Sequence, residues 1–357
     1  MINIGGSIMA TMKGVVSTGG RNVAVRDDLV IPEPGPNQVL VKVAYAALCA
    51  TDIHGMEGLI RMGPAREPDP TRAIGHEMSG IIVGLGSEAA GKGLKIGDKV
   101  VCDPGSYCGE CAGCRAGKRC MSPPPPTSGG CMAEFKTYYV SSVHKIPDDM
   151  SLRKAVLIEP TTCCLRAVDL TMPKTGDTAC LSGAGGIGML LLRAIKRAGV
   201  SNLTVIEPVE DKWPIIRELG ATHLINPMKQ DVKAECDRIT GGLGFDFVYE
   251  SSGVSAATPI CLDIAGYNGT VCYFAVYYSD FELPVNLNKL YGKEGRIQTV
   301  FVHKSNWPRA VRFIYEDDPV VEKIIGLELP IEEAEKAFEE FHTSKYSKII
   351  LKIAKDL

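Results

Sequence analysis

Between residues 12 and 159 the chain alternates short apolar runs with turn residues at close intervals. Residues 39–48, VLVKVAYAAL, have strand composition, and the apolar run 81–83 reads as another strand. Pro32, Pro34, Gly35, Pro36, Gly84, Gly86 and Gly97 punctuate this stretch, which predicts a barrel-like or irregular β domain. Past Glu159 the period changes. Residues 178–182 form a short buried-type strand, a glycine-rich turn follows, and residues 187–198 carry a helical pattern. Residues 203–206, 223–225 and 245–249 read as further strands, with a helix over 212–219 that stops at Gly220. Strands alternating with helices at this spacing mean βαβ units and a parallel sheet. Residues 271–276 and 297–302 extend that sheet. An acidic amphipathic helix over 331–342 and a strand over 348–353 close the chain, with no internal repeat. The fold class is therefore α/β, a β-rich domain joined to a doubly wound parallel sheet.

At 357 residues the chain exceeds what one hydrophobic core usually organises, so two domains are expected. The formal net charge of -3, with no basic stripe, points away from nucleic acid or an anionic membrane as partner. No apolar run reaches the ~18 residues of a spanning helix. The opening MINIGGSIMATMKGVV shows no charged n-region, apolar core or cleavage site, so a cytoplasmic chain is expected. The 13 cysteines are then better suited to metal ligation and reduced core thiols than to disulfides.

Gly183-Ala184-Gly185-Gly186-Ile187-Gly188 follows a predicted strand and opens a predicted helix. In that context G-x-G-x-x-G is a dinucleotide fingerprint. Gly183 permits the tight turn, Gly185 lets backbone approach a pyrophosphate, and Gly188 lets helix pack on strand. Gly186 and Ile187 present the first amides of the helix, whose N-terminus favours phosphate. Glu207, just after the strand 203–206, is placed to accept hydrogen bonds from an adenosine ribose diol and to repel a 2′-phosphate. NAD is the expected coenzyme. Lys212 is expected to reach the outer face of the adenine pocket.

Cys108, Cys111, Cys114 and Cys120 lie within one short loop, interleaved with Gly109, Gly113 and Gly117. Four thiolates on one loop make a closed tetrahedral zinc site, which stabilises a lobe (residues 102–121) and leaves no position for chemistry. A second set is scattered: Cys49 in Cys49-Ala50-Thr51-Asp52-Ile53-His54, His76 and Glu77 in Gly75-His76-Glu77-Met78-Ser79-Gly80, and Glu159 in Ile158-Glu159-Pro160. Individually these residues are unremarkable; a lone cysteine is usually a small core hydrophobe.

Together these motifs resemble the zinc-containing medium-chain dehydrogenase/reductases of the alcohol dehydrogenase superfamily, within them the sorbitol, butanediol and threonine dehydrogenase branch. The resemblance runs from residue 12 to the end and includes Gly244-Phe245-Asp246-Phe247-Val248-Tyr249-Glu250. It implies a GroES-like catalytic domain, residues 1–162 and 303–357, with a Rossmann NAD-binding domain, residues 163–302, inserted. It implies two Zn2+ per subunit, NAD, a small-molecule alcohol or ketone substrate, and a homodimer or homotetramer. Cys49, His76 and Glu159 would bind the catalytic zinc, leaving a position open. Glu77 would be a nearby carboxylate able to exchange with the water there, and Asp52 would orient His76. Thr51 and His54 would begin and end a proton relay through the nicotinamide ribose. Zinc favours an alkoxide at neutral pH, while hydride leaves for the nicotinamide and the hydroxyl proton leaves separately.

Two features depart from the family pattern. The Cys114-to-Cys120 spacing is short, which implies either a tightened lobe or a weakened zinc. Pro123-Pro124-Pro125-Pro126 forms a stiff stretch that either borders the cleft or acts as a spacer. Two other readings compete: a zinc-independent quinone or enoyl reductase of the same superfamily, and a non-catalytic zinc- and nucleotide-binding protein. The two ligand sets oppose the first, and the full fingerprint opposes the second.

Overall fold

The computed structural model describes residues 2–4, 7–60, 69–118, 120–301, 306–317 and 319–357. The expected strand end at Val302, and with it the 302/303 domain limit, lies outside the described residues.

The chain opens its larger elements with an antiparallel hairpin, β1 (Thr11–Gly19) and β2 (Asn22–Val30). β3 (Gln38–Ala47) follows, then the short helix α1 (Ala50–Met56), then β4 (Glu77–Leu85) and β5 (Lys99–Cys102). β6 (Phe135–Tyr139) and β7 (Val143–Lys145) complete this region before the helix α2 (Ile158–Thr171). The predicted strand 81–83 falls inside β4, and 39–48 matches β3 except at Leu48, one residue past its end. β3 forms because its alternate positions are apolar: Val39, Val41 and Val43 are fully buried.

The parallel sheet is built from β8 (Thr178–Ser182), β9 (Asn202–Ile206), β10 (His223–Ile225), β11 (Phe245–Glu250), β12 (Ala265–Tyr273) and β13 (Arg296–Thr299). Its spatial order is β10-β9-β8-β11-β12-β13, the doubly wound order in which ligands bind at the central switch point. Helix α3 (Gly186–Arg197) leaves β8 through the glycine turn. After α4 (Trp307–Glu316), β14 (Ile325–Pro330), α5 (Ala334–His342) and β15 (Lys348–Lys352) return to the first region.

That return matters most for the site. β15 pairs antiparallel with the end of β3, Ile350 opposite Ala47, and the start of β4 pairs with the same residue, Glu77 opposite Ala47. One rung of the mixed sheet thus joins three segments remote in sequence. Cys49 lies just past it, His76 just before it, and Lys348 two residues upstream of Ile350.

Several helices were not expected, α2 and α4 among them. Most of α2 is buried, from Ile158 through Thr162 and again at Cys164, Leu165 and Ala167, so it shows no polar face for periodicity to reveal. α4 follows directly on the described residue Asn306 and buries Trp307, Ala310, Val311, Phe313 and Ile314. No helix among the described residues is long and apolar enough to cross a membrane.

Candidate active site and metal centres

Cys49 ends the turn after β3 and N-caps α1. Its thiol, the His76 imidazole and a Glu77 carboxylate oxygen lie within 4.8 Å of one another. Thiolate, imidazole and carboxylate are the donor types zinc takes. Asp52 reaches His76 from α1, with Oδ1 at 2.8 Å from Nδ1, which leaves the other ring nitrogen for a ligand role. Asp52 Oδ2 is buried and without a hydrogen bond. Burial opposes a charged His76, but the Asp52 and Cys49 charges and their hydrogen bonds override it and hold its pKa well above the ordinary value.

Glu159, expected as the third ligand, stands outside that triplet, while Glu77 stands inside it. The reason is backbone pairing. The rung at Ala47 fixes Glu77 beside Cys49, whereas Glu159 arrives from the first turn of α2. The two carboxylates differ in their partners. Both oxygens of Glu77 lie close to Lys348 Nζ, at 2.7 and 2.6 Å, and that ammonium also donates to Leu48 O at 3.0 Å. The Glu159 side chain is buried with no ion pair or hydrogen bond among the described residues. Its burial, reinforced by Glu77 and offset by His76 and Lys348, pushes it up to about 7. A buried carboxylate with no counterion is what a cation at this place would satisfy. Lys348 escaped the sequence reading because a lone lysine opening a C-terminal strand looks like a solvated end.

The four-cysteine loop gathers despite its short last spacing. Its sulfurs lie within 4.8 Å of one another, with Cys108–Cys120 at 3.6 Å, Cys111–Cys120 at 3.9 Å and Cys108–Cys114 at 4.0 Å. A tetrahedron with Zn–S near ~2.3 Å has S–S edges of about 3.8 Å, so the set fits zinc and is far too wide for a disulfide. Backbone N–H groups of Cys114 and Met121 donate to Cys111 Sγ and lower its pKa to about 5. The N–H of Cys108 likewise favours the Cys120 thiolate, while burial raises Cys114 to about 11.

In the nucleotide region the glycines divide by role. Gly183 has φ +88°, and a Cβ there would meet Ser252 Cα at 2.7 Å. A Cβ on Gly188 would stand 2.3 Å from Gly183 O. Gly185 has open space around it, as a backbone cradle for a ligand requires. Gly186 has a packing reason instead: its Cβ would strike Ser347 O, just before β15, at 2.5 Å. Ile187 is half-buried and packs against the core. Glu207 is buried, accepting from the N–H of Ala184 at 2.8 Å and of Val209 at 3.0 Å, so it also braces the glycine turn. Lys212, expected at an outer face, is buried; burial lowers its pKa and the Glu207 charge raises it.

A cleft of about 860 Å³ opens beside α1, lined by Thr51, Asp52, Gly75 and Pro126 among others. The proline run therefore does reach the cleft. Thr51 and His54 are three residues apart on α1 and share a face, and the His54 and Tyr278 rings stand edge to face with centroids 5.3 Å apart. Burial lowers the His54 pKa.

The alcohol dehydrogenase GroES-like domain family matches residues 35–148, and the zinc-binding dehydrogenase family matches residues 186–316. A chain from Clostridium scindens ATCC 35704, described as a zinc-binding dehydrogenase, superposes with TM-score 0.85 at 32% identity, over 96% of this chain and 99% of that one. A zinc-binding dehydrogenase of Sinorhizobium meliloti 1021 bound to NADP gives TM-score 0.86 at 26% identity, over 96% and 99%. The sorbitol dehydrogenase of Bacillus subtilis (strain 168) is 27% identical over 93% of this chain and 94% of its own.

Proposed function

This chain belongs to the zinc-containing medium-chain dehydrogenase/reductases, and from that premise we propose that it moves a hydride between a secondary alcohol or polyol and NAD. The observation that carries the reading is the cluster of Cys49, His76 and Glu77, whose neighbours Thr51, Asp52 and Gly75 line the cleft.

We assign Cys49, His76 and Glu159 to a catalytic zinc, with Glu77 behind them already neutralised by Lys348. A zinc ion held there supplies Lewis acidity toward the substrate oxygen. Asp52 fixes the His76 ring and its tautomer. Thr51 accepts the substrate hydroxyl proton as it gives its own onward, and His54, which burial keeps neutral, takes up a proton at the far end of the relay and passes it to solvent. Cys108, Cys111, Cys114 and Cys120 hold a second, structural zinc. The Gly183 turn and the α3 N-terminus seat the pyrophosphate, and Glu207 the adenosine ribose. The zinc-independent reductase reading has no use for a gathered Cys49–His76–Glu77 set.

Among the described residues no further strand pairs with the β13 edge of the parallel sheet, where Ile297 and Phe301 are exposed on or beside it and Leu287 and Tyr291 just before it. An apolar open edge supports pairing with a second copy, and we assign a homo-oligomer on that ground. Sedimentation of a single monomeric species would refute it.

Metal analysis together with a panel of secondary alcohols and ketones, read by NADH absorbance, tests the function. About two zinc per chain with turnover of a polyol are expected. Turnover by metal-free protein would overturn the reading.

A further inference from the structure

The cleft lining carries two cations, Arg72 and Lys136, alongside the neutral Ser17, Ser106 and Thr127. Their wall is a built structure. Ala73 bridges to Val16 of β1, and the segment 129–132 lies against 73–75, with Met132 N–H donating to Ile74 O at 2.8 Å and Cys131 N–H to Gly75 O at 3.0 Å. A Cβ on Gly130 would stand 2.1 Å from the Ile74 carbonyl carbon, so only glycine allows this approach. The same segment runs on into His76, which ties the wall to the metal ligands.

Lys136 is 6% exposed. Its ammonium donates to Ser128 O at 2.7 Å, to Thr127 Oγ1 at 3.3 Å and to Gly129 O, and lies 4.9 Å from the Tyr138 ring centroid. Arg72 donates to Thr127 O at 3.0 Å. Neither cation forms an ion pair with a carboxylate among the described residues. Two carboxylates also line the cleft, each with one oxygen engaged by another group, and the Arg72 charge helps to hold Asp69 ionised. Asp52 holds His76, and Asp69 Oδ1 accepts from the N–H and hydroxyl of Thr71. Burial, with Arg72 adding to it, lowers Lys136 to about 8, so its positive charge is held at a cost that an anion would relieve.

We propose that the substrate is an anionic alcohol, a polyol phosphate or polyhydroxy acid, whose anionic end is held by Arg72 in the positive field of Lys136 while its reacting hydroxyl meets Thr51. This rests on the dehydrogenase reading above. A guanidinium fork matches carboxylate and phosphate alike, and among the described residues the Arg72 guanidinium makes one hydrogen bond, to Thr127 O.

The test pairs neutral and anionic ligands on the zinc-loaded protein: ribitol with ribitol 5-phosphate, and galactitol with galactonate. In kinetics the anionic member of one pair exceeds its neutral partner by about tenfold or more in kcat/KM, and which pair responds separates phosphate from carboxylate. Arg72→Gln, a half-buried position tolerant of change, raises KM for that member by about tenfold or more with a smaller effect on kcat, and Arg72→Lys restores part of the loss. In calorimetry the preferred anion binds without turnover and loses affinity in Arg72→Gln. Equal or better use of the neutral members, or unchanged anion affinity in Arg72→Gln, overturns the proposal. Anion binding that depends on Arg72, with no NADH formed from any member, would keep this site and sink the dehydrogenase reading instead.

Discussion

Lys348 and Glu77 form a buried ion pair, 2.6 Å apart, that links the last strand of the chain to the residue after His76. Each side chain is less than a tenth exposed. Removing one partner of such a pair leaves an uncompensated buried charge and costs about 3–5 kcal/mol. Lys348→Met is therefore expected to lower the unfolding midpoint sharply and to loosen the Cys49–His76 cluster as well. The double change Lys348→Met with Glu77→Gln should recover most of the stability. Thermal unfolding of the two variants checks this, and equal melting of Lys348→Met and the parent chain would refute the coupling.

The same pair separates the two acids beside His76. Glu77 already has a cation, and Glu159 has none. Glu159→Gln should release catalytic zinc while the four-cysteine zinc stays, giving about one metal per chain by elemental analysis. Glu77→Gln should keep both ions. The reverse pattern would make Glu77 the ligand.

Cys111→Ser opens a closed site whose sulfur receives two backbone N–H groups. The lobe should lose its ion and the chain its thermal stability, with a smaller change in turnover per folded molecule at low temperature. Chelation by a mild reagent should act in the same direction. An unchanged melting curve with abolished turnover would contradict this division between the two centres.

Thr51→Val keeps shape and removes the hydroxyl, so turnover should fall by about a hundredfold or more with zinc retained. His54→Ala should be milder, since water can serve at that end. Burial holds the His54 pKa below 6.5, so the imidazole is neutral, and able to accept a proton, throughout the neutral range. The part of the pH-rate profile that His54 sets should lie on the acid side of that value, and His54→Ala should reshape that limb alone. A pH-rate profile altered above neutrality would argue against His54.

Glu207 is expected to favour NAD over NADP by about tenfold or more in kcat/KM, a gap of about 1.4 kcal/mol. Glu207→Ser removes the charge facing a 2′-phosphate and should narrow that gap. Because Glu207 also holds Ala184 N–H and Val209 N–H, the substitution should weaken both coenzymes as the glycine turn loosens. Equal use of NADP by the parent chain would mean the ribose does not meet this carboxylate.

Local features of this protein could be read from its sequence because their causes are local. The strand at Thr178–Ser182, the turn at Gly183 and the helix that follows depend on neighbours in the chain, on glycine's freedom at φ +88° and on apolar period. The four thiols of the lobe share one loop, so their spacing alone predicted that they would gather. The proposed catalytic set is different. Cys49, His76 and Lys348 meet only because β3, β4 and β15 share a rung at Ala47, and strand pairing across such separations leaves no period in the sequence. The scattered ligands were legible only through their likeness to a family. Which acid receives a cation from the protein, and which is left without one, was decided by tertiary packing, as was the gathering of Arg72 and Lys136 on one wall. Burial and pairing set the state of a charged group, and both depend on what the rest of the fold brings beside it.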